Sequence, residues 1–557
     1  MSTTRRTFLA RAAAAAVVAP AGLTAACSAS ATKHSGGAGS SGTSDTVVIG
    51  KTDGGTTFPR NYNVFGPAIS KAPDAEMIYE SLTRVDYSDN AKVKPWLAKS
   101  MTFDSTGQTL TVALRDDVTF SDGTKMTADD VVFSLGIPLG DPTFNSAGTT
   151  YDHVAKVDDS TVTIHWPTPA YSQLDQLASL FLPIVPKHIW DGKDLKTWTN
   201  PDPIGTGGFT LERFAPQQIT LAARNDYWGG KFAVKHVKVI ATTGNTLTAQ
   251  LIRGDVDWAL AAWGSAPQVY VAKDPVHHLY QKYATGGAYS MFFNVAKAPF
   301  DNVHLRRALA MTIPRTDIVA TLQRPGTEAG PTGLVDALYS KEILPQYRGK
   351  VQQVDADGAR QELAQSGYQV VNGNLVKDGK TYSPKLSFNT DYGWGPYADI
   401  MIRSWQKVLG LTVAPAGAPS ANLYQEQQTG AFDLTISTTG GAGMSGVYSA
   451  LSSKAYLPLG QKAATNYGRW KDAATDAAIH DLQSSNDPTV TQKASETLQQ
   501  IVAEQVPYSP IYASYWFVPI NASHWTNWPT PEKFSYVPFP GMPADTTLTL
   551  LNLKPAA

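Results

Sequence analysis

Alternating apolar and polar positions mark strands in the first third of the chain. In residues 109–114 and 162–166 every second side chain is apolar, with threonine, alanine or histidine between them. This period of two predicts half-buried strands, the second of which ends at Pro167. The apolar run at residues 47–49 predicts a short buried strand where the folded part of the chain begins.

Apolar residues three and four positions apart predict helices that bury one face. Residues 127–130 (Thr-Ala-Asp-Asp) have the form of a capping box, and the helix that follows turns Val131, Val132 and Leu135 inward. Three later helices are predicted: one capped by Asp301 and stopping near Pro314, one over residues 400–408 with Trp405 in the core and Gly410 as its stop, and one from Asp487-Pro488 to just before Pro507.

Strands and helices are interleaved along the chain without a regular period, and no internal repeat is present. This pattern predicts a mixed α/β protein. After residue 45 there is no low-complexity linker, so separate lobes must be joined by short hinges or by a chain that crosses back between them.

The first residues of the chain have the features of a targeting signal and not those of a folded element. Residues 1–27 combine a basic beginning with an Ala/Val-rich stretch that is broken by Pro20, as in a bacterial export signal. That stretch is too short and too weakly apolar for a membrane-spanning helix. Residues 4–9 (Thr-Arg-Arg-Thr-Phe-Leu) resemble the twin-arginine signature of proteins that are exported in the folded state.

Cys27, the only cysteine, follows small residues at the end of this signal, as in a lipobox. Thr24 stands where that pattern prefers leucine. We expect Cys27 to be the lipidated first residue of the mature protein; the alternative is an ordinary cleaved signal with a chance cysteine. Residues 28–45 then form a flexible Gly/Ser tether.

The charge and the cysteine content of the chain exclude several classes of binding partner and structural site. The 46 basic and 47 acidic residues leave a net charge of −1, which excludes an electrostatic case for nucleic acid or an anionic membrane as the main partner. A single cysteine excludes an internal disulfide framework and a Cys-based structural zinc site. The 13 Trp and 24 Tyr residues suit either cores or ligand pockets.

The chain carries no local signature of a metal, nucleotide or nucleophile site. HExxH, CxxC and GxxxxGK[ST] are absent, and His277 and His278 are adjacent, so they cannot share one face. Residues 443–446 fall one residue short of a nucleophile elbow. We therefore expect no metal, no cofactor and no enzyme activity. A secreted, lipid-anchored hydrolase stays open as an alternative, because glycosidase carboxylates have no local signature.

Seven groups of segments resemble one known family, and they occur in the family's order. They are residues 79–84 with 93–98, 120–124 with 127–134, 203–209, 225–228, 251–257, 293–294 with 299–301, and 306–309. Together they are similar to the bacterial extracellular solute-binding proteins of family 5, the dipeptide and oligopeptide type of ABC importers. The chain departs from the family at Gly208, where proline is usual, and at Pro314, where Asp or Asn is usual.

The resemblance implies a two-lobed periplasmic-binding-protein fold of type II, with an enlarged first lobe and a two-strand hinge. We place lobe I at residues 46–284, with an extra subdomain at about 75–170. Lobe II covers residues 285–515, and residues 516–557 return to complete lobe I. Ligand buried between the lobes would stabilise a closed form that the permease distinguishes by shape.

In peptide-binding members, the resemblance implies an acidic residue of lobe II that pairs with the α-ammonium of the ligand. It would lie in the loop after the strand at residues 432–437. Here the corresponding stretch, residues 438–445, begins with Thr438 and Thr439 and contains no carboxylate. Since a buried ammonium without a charged partner is costly, this absence weakens the case for a peptide.

Some members of the family bind oligosaccharides instead, with Trp and Tyr rings stacked against the sugars. The rings of this chain that suit that role are Trp394, Tyr392, Trp263, Tyr515 and Trp516. We expect Trp394 to contact the ligand, because it stands among glycines at a helix entry, where packing demands are slight. The alternative for each ring is packing in the core or between the lobes.

The sequence thus predicts the substrate-binding component of an ABC importer. We expect it to capture an extracellular peptide between two lobes and to deliver it to the transmembrane subunits of a permease; an oligosaccharide is the alternative ligand. We also expect an exported monomer that a lipid anchor holds at the outer face of the cytoplasmic membrane, without a nucleic-acid partner.

Overall fold

The computed structural model describes residues 45–556, apart from 53–55, 67–70, 88, 90–91, 146–148, 179–181, 264, 323–326, 392, 440–442 and 533–535. The predicted export signal, Cys27 and most of the predicted tether lie outside the described residues. Within the described residues, no helix is both long enough and apolar enough to cross a membrane.

The strands, in chain order, are β1 (Thr46–Lys51), β2 (Thr83–Asp86), β3 (Lys92–Pro95), β4 (Ala98–Phe103), β5 (Thr109–Leu114), β6 (His153–Asp158), β7 (Thr161–His165), β8 (Phe209–Ala215), β9 (Gln218–Ala223), β10 (His236–Ala241), β11 (Trp258–Ala259), β12 (His278–Phe293), β13 (Gln369–Val371), β14 (Asn374–Lys377), β15 (Lys380–Tyr382), β16 (Lys385–Asn389), β17 (Ala414–Ala418), β18 (Leu434–Thr439), β19 (Tyr508–Asn521), β20 (Trp525–Thr526) and β21 (Lys554–Pro555).

The α-helices are α1 (Ala128–Gly140), α2 (Lys187–Trp190), α3 (Gly244–Arg253), α4 (Ala266–Val269), α5 (Val303–Met311), α6 (Arg315–Thr321), α7 (Asp336–Tyr339), α8 (Ala356–Gln365), α9 (Gly395–Leu409), α10 (Ser420–Thr429), α11 (Gly443–Tyr448), α12 (Ala473–Ser484), α13 (Pro488–Gln500) and α14 (Pro543–Asn552).

One long sheet runs through the described part of the chain. Its strand order is β17-β16-β18-β12-β19-β11-β1-β10-β9-β8. At one end β1 is parallel to β10 and β11, and at the other β16 is parallel to β17 and β18. The two long strands β12 and β19 are antiparallel neighbours in the middle. A separate sheet with the order β4-β5-β7-β6 lies outside it.

Buried apolar side chains form two large cores, one at each end of the long sheet. The first core contains side chains between Val47 and Tyr283 and again between Val518 and Leu553. The second core contains side chains between Met291 and Tyr512. Strands β12 and β19 supply residues to both cores, so they are the connection that joins them. The residue boundaries of the lobes given above remain a prediction.

The pairing of β12 with β19 is interrupted between the two cores. The register shifts between Ala284 and Ala288, and again between Tyr289 and Ser290. Interruptions of this kind bend a strand and leave ladder positions unpaired. The two strands are therefore regular inside each core and irregular at the junction between them.

Most of the local predictions are confirmed. Strands occupy residues 46–51, 109–114 and 161–165, and α1 opens with the capping box of Thr127 and Asp130. Helices α9 and α13 also lie where they were expected, and Trp405 is fully buried. Asp301 is not the cap of α5, since the side chain of Asn302 accepts from the backbone N–H of Leu305 at 3.1 Å.

Asp74 is a fully buried carboxyl in the first core, and it makes stability depend on pH. Burial, with help from the charge of Glu76, raises its pKa to about 7; the hydroxyl of Tyr62, 3.0 Å away, and Lys51 act in the opposite direction. Between pH 3.8 and about 7 the folded protein holds a proton that the unfolded chain has lost. Asp74 therefore stabilises the fold at low pH, and this contribution is lost as the pH rises through 7.

We expect the Asp74→Asn variant to remove this dependence. Between pH 5 and pH 8 the free energy of unfolding of the native sequence should fall by about 2–3 kcal/mol more than that of the variant, a value that follows from the linkage relation. Urea unfolding at the two pH values, followed by tryptophan fluorescence, measures the difference. The exposed Asp116→Asn is the matched control. Equal pH dependence in the native protein and Asp74→Asn would contradict the expectation.

Candidate functional site

Three aromatic rings meet where β12 and β19 leave the second core. Tyr289 of β12 and Tyr512 of β19 are paired across the two strands, with ring centroids 4.7 Å apart and nearly parallel. Trp394, the N-cap residue of α9, lies 4.9 Å from the ring of Tyr289 and 5.6 Å from that of Tyr512. Each ring contacts the other two, so they form a triangular cluster rather than a linear stack.

A cavity of about 50 Å³ adjoins this cluster. Its walls come from β19, from β12 and from the ends of two other segments: Ala262, Tyr289, Leu322, Tyr512, Ala513, Tyr515 and Phe517. Phe517 precedes Val518, which is part of the first core, and its carbonyl accepts from the N–H of Ala261, next to Ala262. Leu322 and Tyr512 belong to the second core. The cavity therefore lies at the junction between the two cores.

A second group of rings continues from the cavity to a smaller cluster of buried apolar side chains that contains Tyr270. Phe517 stacks on Tyr280 at 5.7 Å, and Tyr280 contacts Trp263 at 5.1 Å. The backbone N–H of Trp263 donates to the hydroxyl of Tyr280 at 3.0 Å. Tyr270, on the far side of Trp263, donates to the carbonyl of Ile520, and burial raises the pKa of its phenol. The row is therefore aromatic and uncharged.

Charged and polar residues neighbour two of the tyrosines that line the cavity. The ammonium of Lys282 is 5.1 Å from the ring centroid of Tyr515, and the hydroxyls of Tyr515 and Thr327 are 2.9 Å apart. On the other side of β19, Glu328 forms an antiparallel bridge with Tyr512. One cation and one carboxylate therefore neighbour tyrosines of the aromatic lining.

A buried arginine fixes β19 just before Tyr512. The guanidinium of Arg315, in α6, donates to the carbonyl of Pro510 and to the hydroxyl of Ser509, both at 2.8 Å. Burial lowers the pKa of Arg315 to about 10, so the group is still charged at neutral pH. Its remaining donors reach backbone carbonyls, which compensate the charge without a carboxylate.

The structure brings together some of the residues predicted to bind ligand and separates others. Tyr515 lines the cavity, and Trp263 belongs to the row that ends there. Trp516 lies on the opposite side of β19, where it stacks on Phe539 at 5.2 Å and meets the edge of Tyr87. Tyr392 lies outside the described residues. The ligand contacts of all these rings remain predictions.

The expectation of slight packing around Trp394 is wrong. Trp394 is only 5% exposed and is part of the second core, because Tyr289, Tyr512 and Tyr397 pack around its indole. Its place behind the two tyrosines makes it a support for the rings that line the cavity. The glycines beside it allow the chain to enter α9 but do not leave the indole uncovered.

Thr438 and Thr439 end β18 and have different environments. Thr438 is exposed and pairs with Tyr289 in the sheet. Thr439 is buried, and its hydroxyl donates to the carbonyl and accepts from the N–H of Ala288, both at 3.1 Å. Thr439 therefore holds β18 against the irregular part of β12, while the hydroxyl of Thr438 is accessible.

Sequence reasoning did not select Tyr289, Tyr512 or Phe517 as site residues. All three lie on the two strands that join the cores, and their proximity depends on pairing between positions more than 200 residues apart. The available signal was the concentration of tyrosine and phenylalanine in residues 280–293 and 508–517. In the described residues there is no group of three or more His, Cys, Asp or Glu placed to hold a metal ion.

Comparison with known sequences gives a family match over most of the chain. The family described as bacterial extracellular solute-binding proteins, family 5 Middle, matches residues 92–456. The oligopeptide-binding protein AppA of Bacillus subtilis (strain 168) is 26% identical over 461 residues, which cover 78% of this chain and 80% of AppA. The nickel-binding periplasmic protein of Escherichia coli (strain K12) is 27% identical over 408 residues, 70% of this chain and 75% of that protein.

Solved structures show a similar fold. A periplasmic oligopeptide-binding protein of Thermotoga maritima matches with a TM-score of 0.80 at 22% identity, over 92% of this chain and 99% of that one. Its mannohexaose-bound form matches with a TM-score of 0.74 at 22% identity, over 92% and 98% of the two chains. The fold is the two-lobed type II architecture that the sequence predicted, with an enlarged first lobe and a two-strand hinge.

Proposed function

Because the chain belongs to the bacterial extracellular solute-binding proteins of family 5, we propose that it is the receptor of an ABC importer that captures an oligopeptide. The ligand would be held between the two lobes and passed to the transmembrane subunits of a permease. The protein would act as a monomer and by binding alone, without a catalytic step.

The observation that carries this proposal is the aromatic cavity at the junction of the two cores. A space of about 50 Å³ holds only a few water molecules, whereas ligand pockets usually measure about 300–1,000 Å³. A peptide could therefore enter only if the lobes moved apart. The broken pairing between Ala284 and Ala288 lies at the position where β12 and β19 would bend.

Two further observations support a peptide as the ligand. AppA, a relative over most of this chain, is named for binding oligopeptides. Lys282 and Glu328 neighbour the cavity-lining Tyr515 and Tyr512, and opposite charges near an apolar surface suit a zwitterionic ligand better than a neutral one.

An oligosaccharide is the second candidate, and the rings favour it. Tyr289, Tyr515 and Phe517 present apolar faces to one cavity, which suits sugars that stack on aromatic rings. The related protein of Thermotoga maritima has a mannohexaose-bound form.

We further propose that the protein is exported and held at the outer face of the cytoplasmic membrane by a lipid on Cys27. Residues 1–27 supply the export signal, and residues 28–45 supply a tether long enough to keep the binding lobes clear of the lipid surface. This position would keep the receptor close to its permease.

We expect the protein to carry peptide when it is purified without denaturation from its own host. Native mass spectrometry of the intact complex, followed by release of the ligand in acid, would give masses that differ by amino-acid residues. The same protein, unfolded in urea and refolded without ligand, is the control and should take up a synthetic peptide mixture. Increments of hexose or pentose, with no uptake of peptide by the refolded protein, would replace the peptide by a sugar.

A further inference from the structure

A cavity of about 520 Å³ lies at the end of β12 that points away from the first core. Val295, one of its lining residues, follows Ala288 by seven positions along the chain. Because a strand rises about 3.3 Å per residue, roughly 20 Å separates this cavity from the irregular part of β12. Small-molecule pockets usually measure about 300–1,000 Å³. The cavity is therefore large enough for a ligand of its own and is separate from the junction between the cores.

Two buried arginines line this cavity. The exposed fraction is 3% for Arg306 and 1% for Arg469. Both guanidinium groups donate to backbone carbonyls, at 2.5 to 3.4 Å, and among the described residues neither has a carboxylate within ion-pair distance. The Nε of Arg469 is buried and has no hydrogen-bond partner in the described part of the chain. Carbonyl groups stabilise these cations but do not cancel their charge.

The charges around the cavity are unbalanced. Lys471 adds a third cation, which is exposed at the rim. Among the lining residues that the structure describes, Asp301 is the only carboxylate, so the net charge is +2. Burial lowers the pKa of Arg306 to about 10, which leaves the group charged at neutral pH, and Arg469 also keeps its proton. Because a buried cation without a counter-ion is unfavourable, an anion that entered the cavity would be stabilised there.

Two aromatic rings supply apolar surface beside these charges. The guanidinium carbon of Arg306 is 5.6 Å from the ring centroid of Trp470, and the ammonium of Lys471 is 5.6 Å from that of Tyr456. The indole N–H of Trp470 donates to the hydroxyl of Thr475 at 2.9 Å, which fixes the orientation of the ring. The cavity thus combines cations with aromatic surface, an arrangement that suits a ligand with an anionic group on a flat body.

We propose that this cavity is a second ligand site, which takes a small organic anion with a carboxylate or phosphate group on a flat body. The anionic group is the shared chemistry, because guanidinium and ammonium groups bind both carboxylates and phosphates. The rings of Trp470 and Tyr456 would cover the body of the ligand. The site is independent of the ligand held between the lobes, so it goes beyond the proposed function and does not rest on it.

Benzoate and phenyl phosphate are the probes for this site, and benzamide, which is the uncharged relative of benzoate, is the reference. Ligand-observed NMR titration of the native protein gives the dissociation constant of each compound. At least one anion should bind about 10-fold more tightly than benzamide, or better, which is the usual effect of one charged hydrogen bond. The anion that binds more tightly identifies the group, carboxylate or phosphate, that the site prefers.

Two variants at exposed lining positions locate the binding in this cavity. Lys471→Glu reverses the charge at the rim and should weaken binding of the anions about 10-fold, with binding of benzamide unchanged. Ala296→Trp places a large side chain in the cavity and should weaken binding of all three compounds. Lys493→Glu makes the same charge change on α13, at an exposed residue that does not line the cavity, and should keep the native affinities.

The outcomes test the site separately from the proposed function. Equal affinity for benzoate, phenyl phosphate and benzamide, or no binding of either anion, would overturn the anion site. Unchanged affinities in both Lys471→Glu and Ala296→Trp would overturn it too, since the probes would then bind elsewhere. None of these results affects the ligand held between the lobes, which native mass spectrometry measures independently. A native protein that carries neither peptide nor sugar would overturn the proposed function and leave the anion site intact.

Discussion

Replacing Trp394 with alanine is expected to lower the free energy of unfolding by about 3–5 kcal/mol, the usual cost of truncating a buried tryptophan. The indole is 5% exposed and supports both Tyr289 and Tyr512. Its removal leaves a cavity behind these two rings, which then lose the surface that holds them at the junction. Urea unfolding of the native protein and the variant measures the change.

The same variant also discriminates between the candidate ligands. A sugar stacked on the aromatic cluster should lose about 1–3 kcal/mol of binding free energy, because the tyrosines that present the stacking surface lose their support. A peptide held by its backbone and its termini should lose less. Isothermal titration with the ligand released from the native protein gives the value.

Tyr424→Ala is the matched control for Trp394→Ala, since Tyr424 is 50% exposed and its loss should leave both stability and binding nearly unchanged. Trp394→Phe keeps a ring in the second core and should recover much of the stability. If Trp394→Ala unfolds at the same urea concentration as the native protein and binds the ligand equally well, Trp394 supports neither the core nor the site.

Replacing Glu80 with alanine should destabilise the first core by about 3–5 kcal/mol, as expected when a buried charged acceptor is taken away from its donors. The carboxylate is fully buried and accepts from Trp96 at 2.9 Å, from the hydroxyl of Tyr227 at 2.7 Å and from Trp228 at 3.1 Å. Burial raises the pKa of Glu80, and these donors act against that rise. Without the carboxylate, the buried hydroxyl of Tyr227 and the indole N–H groups of the half-buried Trp96 and Trp228 lose their acceptor.

Glu80→Gln tests the hydrogen bonds without removing the whole side chain. Its amide oxygen can still accept from some of these donors, but its NH₂ group lies opposite another donor and cannot accept from it. We expect an intermediate loss of about 1–3 kcal/mol. Glu532→Ala removes an exposed carboxylate and should change little. Thermal unfolding measures the stability of the native protein, Glu80→Ala, Glu80→Gln and Glu532→Ala. If Glu80→Ala is as stable as the native protein, this hydrogen-bond cluster does not stabilise the core.

Features that depend on neighbouring residues could be predicted from the sequence. The capping box at Thr127 and Asp130 and the stop at Gly410 are fixed by side chains within a few positions, and both occur where they were expected. The cap of α5 shows the precision of such reasoning. Asp301 and Asn302 are adjacent and both suit a cap, and only the path of the backbone decides that Asn302 reaches the N–H of Leu305.

Features that depend on distant pairing could not be predicted in the same way. The cluster of Tyr289, Tyr512 and Trp394 requires β12 and β19 to meet in one register, and no local pattern fixes that register. The same holds for Glu328, which acquires its neighbours only through the bridge to Tyr512. The burial of Trp394 could not be predicted for the same reason. Its neighbouring glycines indicate a flexible backbone, but the side chains that cover the indole come from β12 and β19, which are distant in sequence.

The composition of the two cores has a consequence for the order in which the protein is completed during synthesis. The second core uses residues up to Tyr512, whereas the first core needs side chains as far as Leu553 and the pairing of Trp258 with Ile520. All residues of the second core are therefore synthesised before the last residues of the first core leave the ribosome. The half of the protein that begins earlier in the sequence is the one that finishes later. Such long-range closure makes folding slow, and transport after folding, as residues 4–9 predict, gives the chain that time.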